Sequence, residues 1–280
     1  MNGARIVTES QKERSRRPRA AVVASQKGGE GKTLLATSIA DLHYLHDEPV
    51  IAVQIDDQER LSRTIGQDVI TVNTETVRAS RTNPAASIQA FRPMMTALEQ
   101  AASLRAMLLV DVGGTQVRPV DAFASLSELN GDLVEMEFEG RVFVPATAEP
   151  EAITQAARTI AMLSESLPVL KAVLVENRRD GAFDTLATGS EAYRALRQLR
   201  EAYPDLPEIV MPAVEGGSWR YFEPHYCRPI DVVAMDVGEV MRLTGLPRAE
   251  ARIARGDVAA WVAEMERALA PLLGLPEVFR

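Results

Sequence analysis

One loop holds the residue types best suited to chemistry: residues 26–33 have the sequence Gln-Lys-Gly-Gly-Glu-Gly-Lys-Thr. Glycines allow consecutive backbone N–H groups to curl around phosphate oxygens, and the start of a helix after the loop adds positive potential. Lys32 can bridge the outer phosphates of a nucleotide, and the Thr33 hydroxyl can ligate Mg²⁺. The pattern predicts a nucleotide phosphate site with these members: Gly28, Gly29, Glu30, Gly31, Lys32, Thr33 and Leu34.

Two carboxylates follow apolar, strand-like runs further along the chain. Asp111 ends the run Leu-Leu-Val at 108–110, a position typical of a carboxylate that holds Mg²⁺ through water. Asp56 follows the run at 50–55 in a second such position. Both patterns have a simpler alternative, because an apolar strand that ends in aspartate is common, and Asp56 with Asp57 also fits the start of a surface turn.

Short apolar runs alternate with helical patterns from residue 20 onward, and these elements must position the loop and the carboxylates. We predict strands at 20–25, 50–55, 107–111, 141–145, 171–176 and 208–211, and helices at 34–42, 87–103, 119–129, 149–166, 190–202 and 257–273. Several strands lack polar alternation, which indicates an α/β fold with a mostly parallel sheet and helices on both faces. Ligands bind such folds at the carboxyl ends of the strands.

Composition and charge limit the classes of function. A net charge of −8 argues against a surface that is basic throughout and binds nucleic acid, and leaves a local basic patch open. The single cysteine, Cys227, cannot form an internal disulfide or supply a cluster of metal thiolates. His43, His46 and His225 lack an accompanying carboxylate metal pattern, so we interpret them as structural.

The chain divides into a short arm and one large domain. Residues 1–19 are polar and basic, which predicts a disordered arm that is either a solvated tail or a weak contact for DNA or anionic lipid. Residues 20–280 are expected to form a single domain. No apolar run reaches the about 18 to 20 residues that a membrane span needs, and no signal-type block follows the N-terminus. We therefore expect a cytoplasmic protein without a membrane span.

The loop departs from the ordinary phosphate-binding pattern, because Gln26 stands where a glycine is expected. From Lys27 onward it follows K-G-G-x-G-K-[ST], and in this it resembles the ParA/MinD family of P-loop ATPases, in the short form without an N-terminal helix-turn-helix. The resemblance implies a P-loop NTPase fold, ATP and Mg²⁺ as cofactors, and slow, partner-stimulated ATP hydrolysis. It also implies an ATP-dependent homodimer in which Lys27 reaches the phosphates of the partner subunit's ATP.

Further family motifs follow in order along residues 20 to about 233. Residues 54–58, Gln-Ile-Asp-Asp-Gln, resemble the family motif D-x-D-P-Q, which gives Asp56 the role of positioning the attacking water. Gln54 replaces an aspartate that the family usually has near the Mg²⁺ shell, which puts metal affinity and turnover in question. At 112–115, Val-Gly-Gly-Thr replaces the usual small residues and proline after Asp111, which predicts a more flexible switch loop.

Two weaker matches concern the nucleotide base. Asn177 follows the strand at 173–176, where family members often place a residue that reads the adenine edge, and its amide has a suitable donor and acceptor. The alternative is that Asn177 forms a turn. Pro212, in Met-Pro-Ala at 211–213, resembles the family loop that flanks the base.

The resemblance supports two hypotheses of function. The first is an ATP-driven switch for partitioning or positioning DNA or a cellular complex, with an unidentified stimulating or cargo protein. Non-specific DNA would then contact surface arginines, although solvated helix faces explain them equally well: Arg178, Arg179, Arg194, Arg197, Arg200 and Arg220. The alternative is a nucleotide-gated scaffold or regulator of a conjugation, secretion or surface-polymer machine with little hydrolysis. Residues from about 234 lie outside the resemblance, and the helix around Trp261 is expected to pack in the core.

Overall fold

The computed structural model describes residues 18–66, 68–79 and 84–276. Its strands are β1 (Arg19–Ala24), β2 (Val50–Ile55), β3 (Ile70–Thr71), β4 (Met107–Val112), β5 (Glu139–Ala146), β6 (Leu170–Asn177) and β7 (Glu208–Met211). They form one sheet in the order β3-β2-β4-β1-β5-β6-β7, and every neighbouring pair is parallel. The predicted α/β fold is confirmed.

Helices connect these strands and cover the sheet. They are α1 (Lys32–Leu45), α2 (Arg60–Ile65), α3 (Thr74–Ala79), α4 (Pro84–Leu104), α5 (Val117–Leu126), α6 (Leu129–Glu135), α7 (Pro150–Ser166), α8 (Glu191–Ala202), α9 (Pro229–Ala234), α10 (Val237–Thr244) and α11 (Arg248–Leu273). No helix in the part of the chain that the structure describes is long and apolar enough to cross a membrane.

The central strand β1 is apolar on both faces because both faces are covered. Alternate residues of a strand point to opposite faces. Ala20, Val22 and Ala24 belong to one hydrophobic core, which α4, α5, α7 and α8 complete. Ala21 and Val23 belong to a second core, which α1 and the C-terminal helices α9, α10 and α11 complete. This double cover explains why the strand lacks polar alternation.

The parallel register brings three loops to one edge of the sheet. Ala24, the last residue of β1, pairs with Val112 at the end of β4. Ile55, the last residue of β2, pairs with the same Val112. The loops that follow β1, β2 and β4 therefore start side by side, and these are the loops that carry the residues singled out for chemistry.

Several boundaries differ from the sequence prediction. The helix predicted at 119–129 is two helices, α5 and α6, because Glu128 adopts a left-handed conformation with φ 53° between them. Arg19 opens β1, one residue before the strand predicted at 20–25, and its guanidinium contacts Glu48 and the Leu273 carbonyl. The rest of the predicted basic arm, at 1–17, lies outside the described residues.

The C-terminal helices are bound firmly to α1. Trp261, Met265 and Leu269 of α11 are buried, which confirms the predicted core packing. Arg228, just before α9, donates two hydrogen bonds to Asp41 Oδ1 at 2.9 and 2.7 Å. Burial raises the pKa of Asp41 to about 6, and the charge and hydrogen bonds of Arg228 act in the opposite direction. The buried ion pair joins the far end of α1 to the C-terminal segment.

Candidate functional site

The loop between β1 and α1 has the conformation that a phosphate-binding loop needs. Gly29 and Gly31 have φ values of 81° and 82°, which side chains other than glycine rarely adopt. Gly31 is the N-cap of α1, and no side chain caps the helix. The first N–H groups of α1 therefore donate to no capping side chain, and they can donate to a phosphate oxygen.

Lys32 and Thr33 lie where the loop meets the end of β4. The Lys32 ammonium is almost fully buried and donates to the Lys27 carbonyl oxygen at 2.7 Å. Burial lowers the pKa of Lys32, and the negative charge of Asp111 is the strongest opposing influence. Thr33 Oγ1 donates to Asp111 Oδ2 at 2.9 Å. Two predicted magnesium ligands are thus adjacent.

The pair fits the way nucleotide sites hold magnesium. In such sites Mg²⁺ takes one or two oxygen ligands from the protein and the remainder from phosphates and water. A hydroxyl and a carboxylate at hydrogen-bond distance supply two oxygens of the right kind. Burial raises the pKa of Asp111 to about 6, and the Thr33 hydrogen bond and the Lys32 charge oppose this rise. A nearby cation therefore favours the ionised carboxylate, which is the form that binds metal.

Asp56 faces the turn that follows β4. A Cβ atom on Gly113 would lie 2.6 Å from Asp56 Oδ1, and one on Gly114 would lie 2.8 Å from the Gln26 carbonyl oxygen. Both glycines are required because the turn packs tightly against the loops after β1 and β2. The sequence suggested that these glycines make the turn more flexible, but close packing alone accounts for them.

Gln54 has a structural role that the family pattern did not suggest. Its side chain is buried, and its amide donates to Ser62 Oγ at 2.9 Å and to Thr71 Oγ1 at 2.8 Å. Its carbonyl oxygen accepts the Ser62 N–H at 3.1 Å. The side chain therefore joins β2 to α2 and β3, whereas the sequence placed this position near the magnesium shell.

Asn177 braces the phosphate loop from the end of β6. Its Nδ2 donates to the Glu30 carbonyl oxygen at 3.0 Å, and its Oδ1 accepts the Arg179 N–H at 3.0 Å. A Cβ atom on Gly31 would lie 2.9 Å from Asn177 Nδ2 and 2.7 Å from Met211 Cε. The predicted contact between Asn177 and adenine stays a prediction, and the bracing role is an additional one.

Pro212, predicted to flank the base, is held by the C-terminal helix. Its carbonyl oxygen accepts the Trp261 Nε1–H at 2.7 Å. Further along the same loop, Ser218 Oγ donates to Asp257 Oδ2 at 2.6 Å. The loop after β7 is thus held at two points by α11. The sequence predicted that this helix packs in the core, but it did not predict its contacts with the loop.

The environment of Lys27 was not predicted from the sequence. Its ammonium pairs with the Glu149 carboxylate and lies 3.0 Å from Glu30 Oε1. Burial alone would lower the pKa of Lys27, but the nearby carboxylates of Glu149 and Glu30 raise it overall. A cleft of about 470 Å³ opens beside Lys27, between the phosphate loop, the 114–115 turn and the start of α7. One sequence signal for this environment was Glu30, the acidic residue at the variable position of the loop motif K-G-G-x-G-K-[ST].

The surface arginines that the sequence offered for DNA are mostly engaged. Arg178, Arg179, Arg197 and Arg200 each form an ion pair with a nearby carboxylate. The remaining two donate to neutral oxygens, Arg194 to the Gly189 carbonyl and Arg220 to the Tyr221 hydroxyl. Neutralised guanidinium groups contribute less to the attraction of phosphate backbones.

The fold and the loop geometry define a P-loop nucleotide-binding protein. Residues 21–208 match the CobQ/CobB/MinD/ParA nucleotide binding domain, which is more than half of the chain. The chain therefore belongs to this family, and the match confirms the ParA/MinD resemblance that the lysine-first loop predicted. The matched range ends at the start of β7, so α9, α10 and α11 lie beyond it.

Solved structures are similar to this chain at low sequence identity. An ATP complex of a McdA variant from Cyanothece has 11% identity and a TM-score of 0.47, with 94% of this chain and 98% of that chain covered. Apo McdA from Cyanothece has 14% identity and a TM-score of 0.45, with coverage of 90% and 99%. The MinC:MinD cell division protein complex of Aquifex aeolicus has 15% identity and a TM-score of 0.46, with coverage of 88% and 96%. No curated protein matches the chain in sequence.

Proposed function

We propose that this chain is an ATP-dependent dimerising switch that hydrolyses ATP slowly and positions a cargo. The observation that carries the proposal is the lysine-first phosphate loop, folded between a central strand and a helix, with Thr33 Oγ1 2.9 Å from Asp111. Asp56 lies at the same sheet edge, against the turn after β4. This set supports binding of a magnesium nucleotide followed by its hydrolysis.

Each residue has a distinct task in this proposal. Thr33, and Asp111 through water, would hold Mg²⁺, which would supply positive charge to neutralise the phosphates. Lys32 leaves the Lys27 carbonyl oxygen and donates to the outer phosphates, where a cation is needed. Asp56 orients the attacking water. Lys27 contacts the nucleotide of the partner subunit and makes dimer formation depend on ATP.

The paired arginines favour a protein cargo over DNA. Four of the six candidate arginines form ion pairs with carboxylates, so the described surface offers few free cations in that group. Weak DNA binding in a filter assay is the expected result, with an affinity that falls by about tenfold or less between 50 and 200 mM salt. Affinity that falls by several orders of magnitude between 50 and 200 mM salt would instead indicate about six or more phosphate contacts and would support DNA as the cargo.

The mass of the protein in solution tests the switch directly. Asp56→Ala should block hydrolysis and trap the state that ATP favours, so light scattering should give 30.6 kDa with Mg-ADP and twice that mass with Mg-ATP. Asp56→Ala combined with Lys27→Ala is the control, because it should bind ATP and stay monomeric. An unchanged mass of the Asp56→Ala protein in Mg-ATP would contradict the switch.

A nucleotide-gated scaffold with little hydrolysis is the second candidate. It is favoured by the engagement of Lys27 with two carboxylates of its own subunit, which opposes dimer formation. ATP turnover of the Asp56→Ala variant separates the two functions. Turnover equal to that of the unmodified chain would favour the scaffold, whereas loss of turnover favours the switch.

A further inference from the structure

Three residues form what we call the lysine clasp: Lys27, Glu30 and Glu149. The Lys27 ammonium pairs with Glu149 and lies 3.0 Å from Glu30 Oε1, so two carboxylates of the same subunit face one cation. In the proposed function this lysine contacts the partner's nucleotide. In the described structure its ammonium is therefore already paired with two carboxylates, which compete with that nucleotide.

Glu30 is the fixed member of the lysine clasp. Its side chain has no exposed surface, and its Oε2 accepts the Thr147 N–H at 2.7 Å. Its backbone oxygen accepts Asn177 Nδ2, so neither end of the residue is free to move away. A buried carboxylate that loses its cationic partner is strongly disfavoured. Glu30 therefore favours conformations in which Lys27 stays in its own subunit.

Glu149 is the releasable member. Its side chain is 49% exposed, and it forms no capping hydrogen bond at the start of α7, where it is the N-cap residue. Exposed ion pairs contribute little and are screened by salt. Lys27 can therefore leave Glu149 with little loss of stability, whereas its contact with Glu30 lies on the buried side.

We propose that Glu30 and Glu149 position Lys27 in its own subunit and set the threshold for its engagement with the partner's nucleotide. The inference rests on the proposed function, which supplies the role of Lys27 in the dimer. A phosphate of another subunit would compete with these two carboxylates for the same ammonium. In this proposal dimer formation breaks the exposed Glu149 contact, and the greater charge of a triphosphate offsets that loss better than a diphosphate does.

The reactivity of the Lys27 amine tests the lysine clasp without any dimer. Nucleotide-free protein is treated with limiting acetic anhydride, and acetylation of Lys27 is measured by mass spectrometry relative to exposed Lys171. Loss of either carboxylate lowers the pKa of the amine and exposes it. Glu149→Gln and Glu30→Gln should each raise the ratio by about threefold or more, the factor that corresponds to an ion pair of about 0.7 kcal/mol.

The variants are chosen so that the fold is kept. Glu30→Gln retains an oxygen that accepts the Thr147 N–H, and Glu149→Gln changes a half-exposed side chain. Glu151→Gln is the matched control, because this nearby carboxylate accepts a hydrogen bond from Gln155 and none from Lys27. An unchanged acetylation ratio in both Glu30→Gln and Glu149→Gln would overturn the lysine clasp, whatever the oligomeric state.

Dimer formation tests the threshold. In the Asp56→Ala background with Mg-ATP, Glu30→Gln and Glu149→Gln should lower the protein concentration at which half the chains are dimeric by about threefold to tenfold. In a Lys27→Met background the protein should stay monomeric in Mg-ATP with or without these substitutions. A raised acetylation ratio with an unchanged midpoint would overturn the threshold role. A parent that stays monomeric in Mg-ATP would instead refute the proposed function, and the acetylation ratio would still decide the lysine clasp.

Discussion

Gln54→Met tests whether Gln54 is a structural link or a part of the metal site. Methionine has a similar volume but cannot form the three hydrogen bonds that the Gln54 amide makes with Ser62 and Thr71. Each hydrogen bond contributes about 1 kcal/mol, and the Ser62 N–H would lose its acceptor at a cost of about 1 to 3 kcal/mol. The apolar side chain recovers part of this through burial. We expect the free energy of unfolding to fall by about 3 kcal/mol.

Thermal and urea unfolding followed by circular dichroism provide the measurement. A loss of about 3 kcal/mol corresponds to a Tm lower by about 6 to 12 °C for a chain of this size. Gln198→Met is the control, since Gln198 is exposed on α8 and its replacement should change stability by less than about 0.5 kcal/mol. Calorimetric affinity for Mg-ATP should be unchanged in Gln54→Met. A loss of stability below about 1 kcal/mol, together with weakened Mg-ATP binding, would refute the structural role.

Three further predictions concern the phosphate loop, the turn after β4 and the ion pair at the far end of α1. Lys32→Ala should abolish ATP binding in calorimetry, and retained micromolar affinity would contradict the site. Gly114→Ala should cost about 1 to 3 kcal/mol, because its Cβ would lie 2.8 Å from a backbone carbonyl oxygen, whereas Gly131→Ala, in open space on α6, should be neutral or stabilising in the same urea titration. Arg228→Ala should destabilise the fold by about 3 kcal/mol at pH 8 and by less at pH 5. The folded-state pKa of Asp41, about 6, lies above its ordinary 3.8, so its contribution to stability is complete below that ordinary value and is lost as pH rises through 6. Arg228 stabilises the ionised Asp41 and so limits that loss of stability above pH 6. If Arg228→Ala lowered the free energy of unfolding equally at pH 5 and pH 8, ionisation of Asp41 would be excluded as the reason.

The sequence predicted the elements whose patterns are local. Strands β2 and β7 have the predicted bounds, because an apolar run between turn residues is a local property. The phosphate loop was found for the same reason, since its glycines, lysines and threonine are contiguous. The short elements β3, α2, α3, α9 and α10 were missed, because segments of two to eight residues contain too few periods to show a pattern.

The remaining contacts depend on residues far apart in the chain. Glu30 bonds to the Thr147 N–H across 117 positions, so its carboxylate could not be placed from the loop motif alone. Gln54 pairs in register with Thr71 of β3, a two-residue strand that the sequence did not reveal. The position of Gln54 in the family motif suggested that it lies near the magnesium shell. Its neighbours in the fold, Ser62 and Thr71, determine what its amide contacts.

The hydrogen bond from Trp261 to the Pro212 carbonyl oxygen connects the loop after β7 with a helix that lies outside the family match. Pro212 and the loop after β7 lie just past the matched range of the family, and Trp261 lies in a helix wholly outside it. Substitutions along α11 can therefore shift this loop while the lysine-first motif stays unchanged. In the proposed switch, where Pro212 is predicted to flank the base, two chains with identical phosphate loops would then differ in how long they retain nucleotide, and a segment remote from the chemistry would set the time spent in each state.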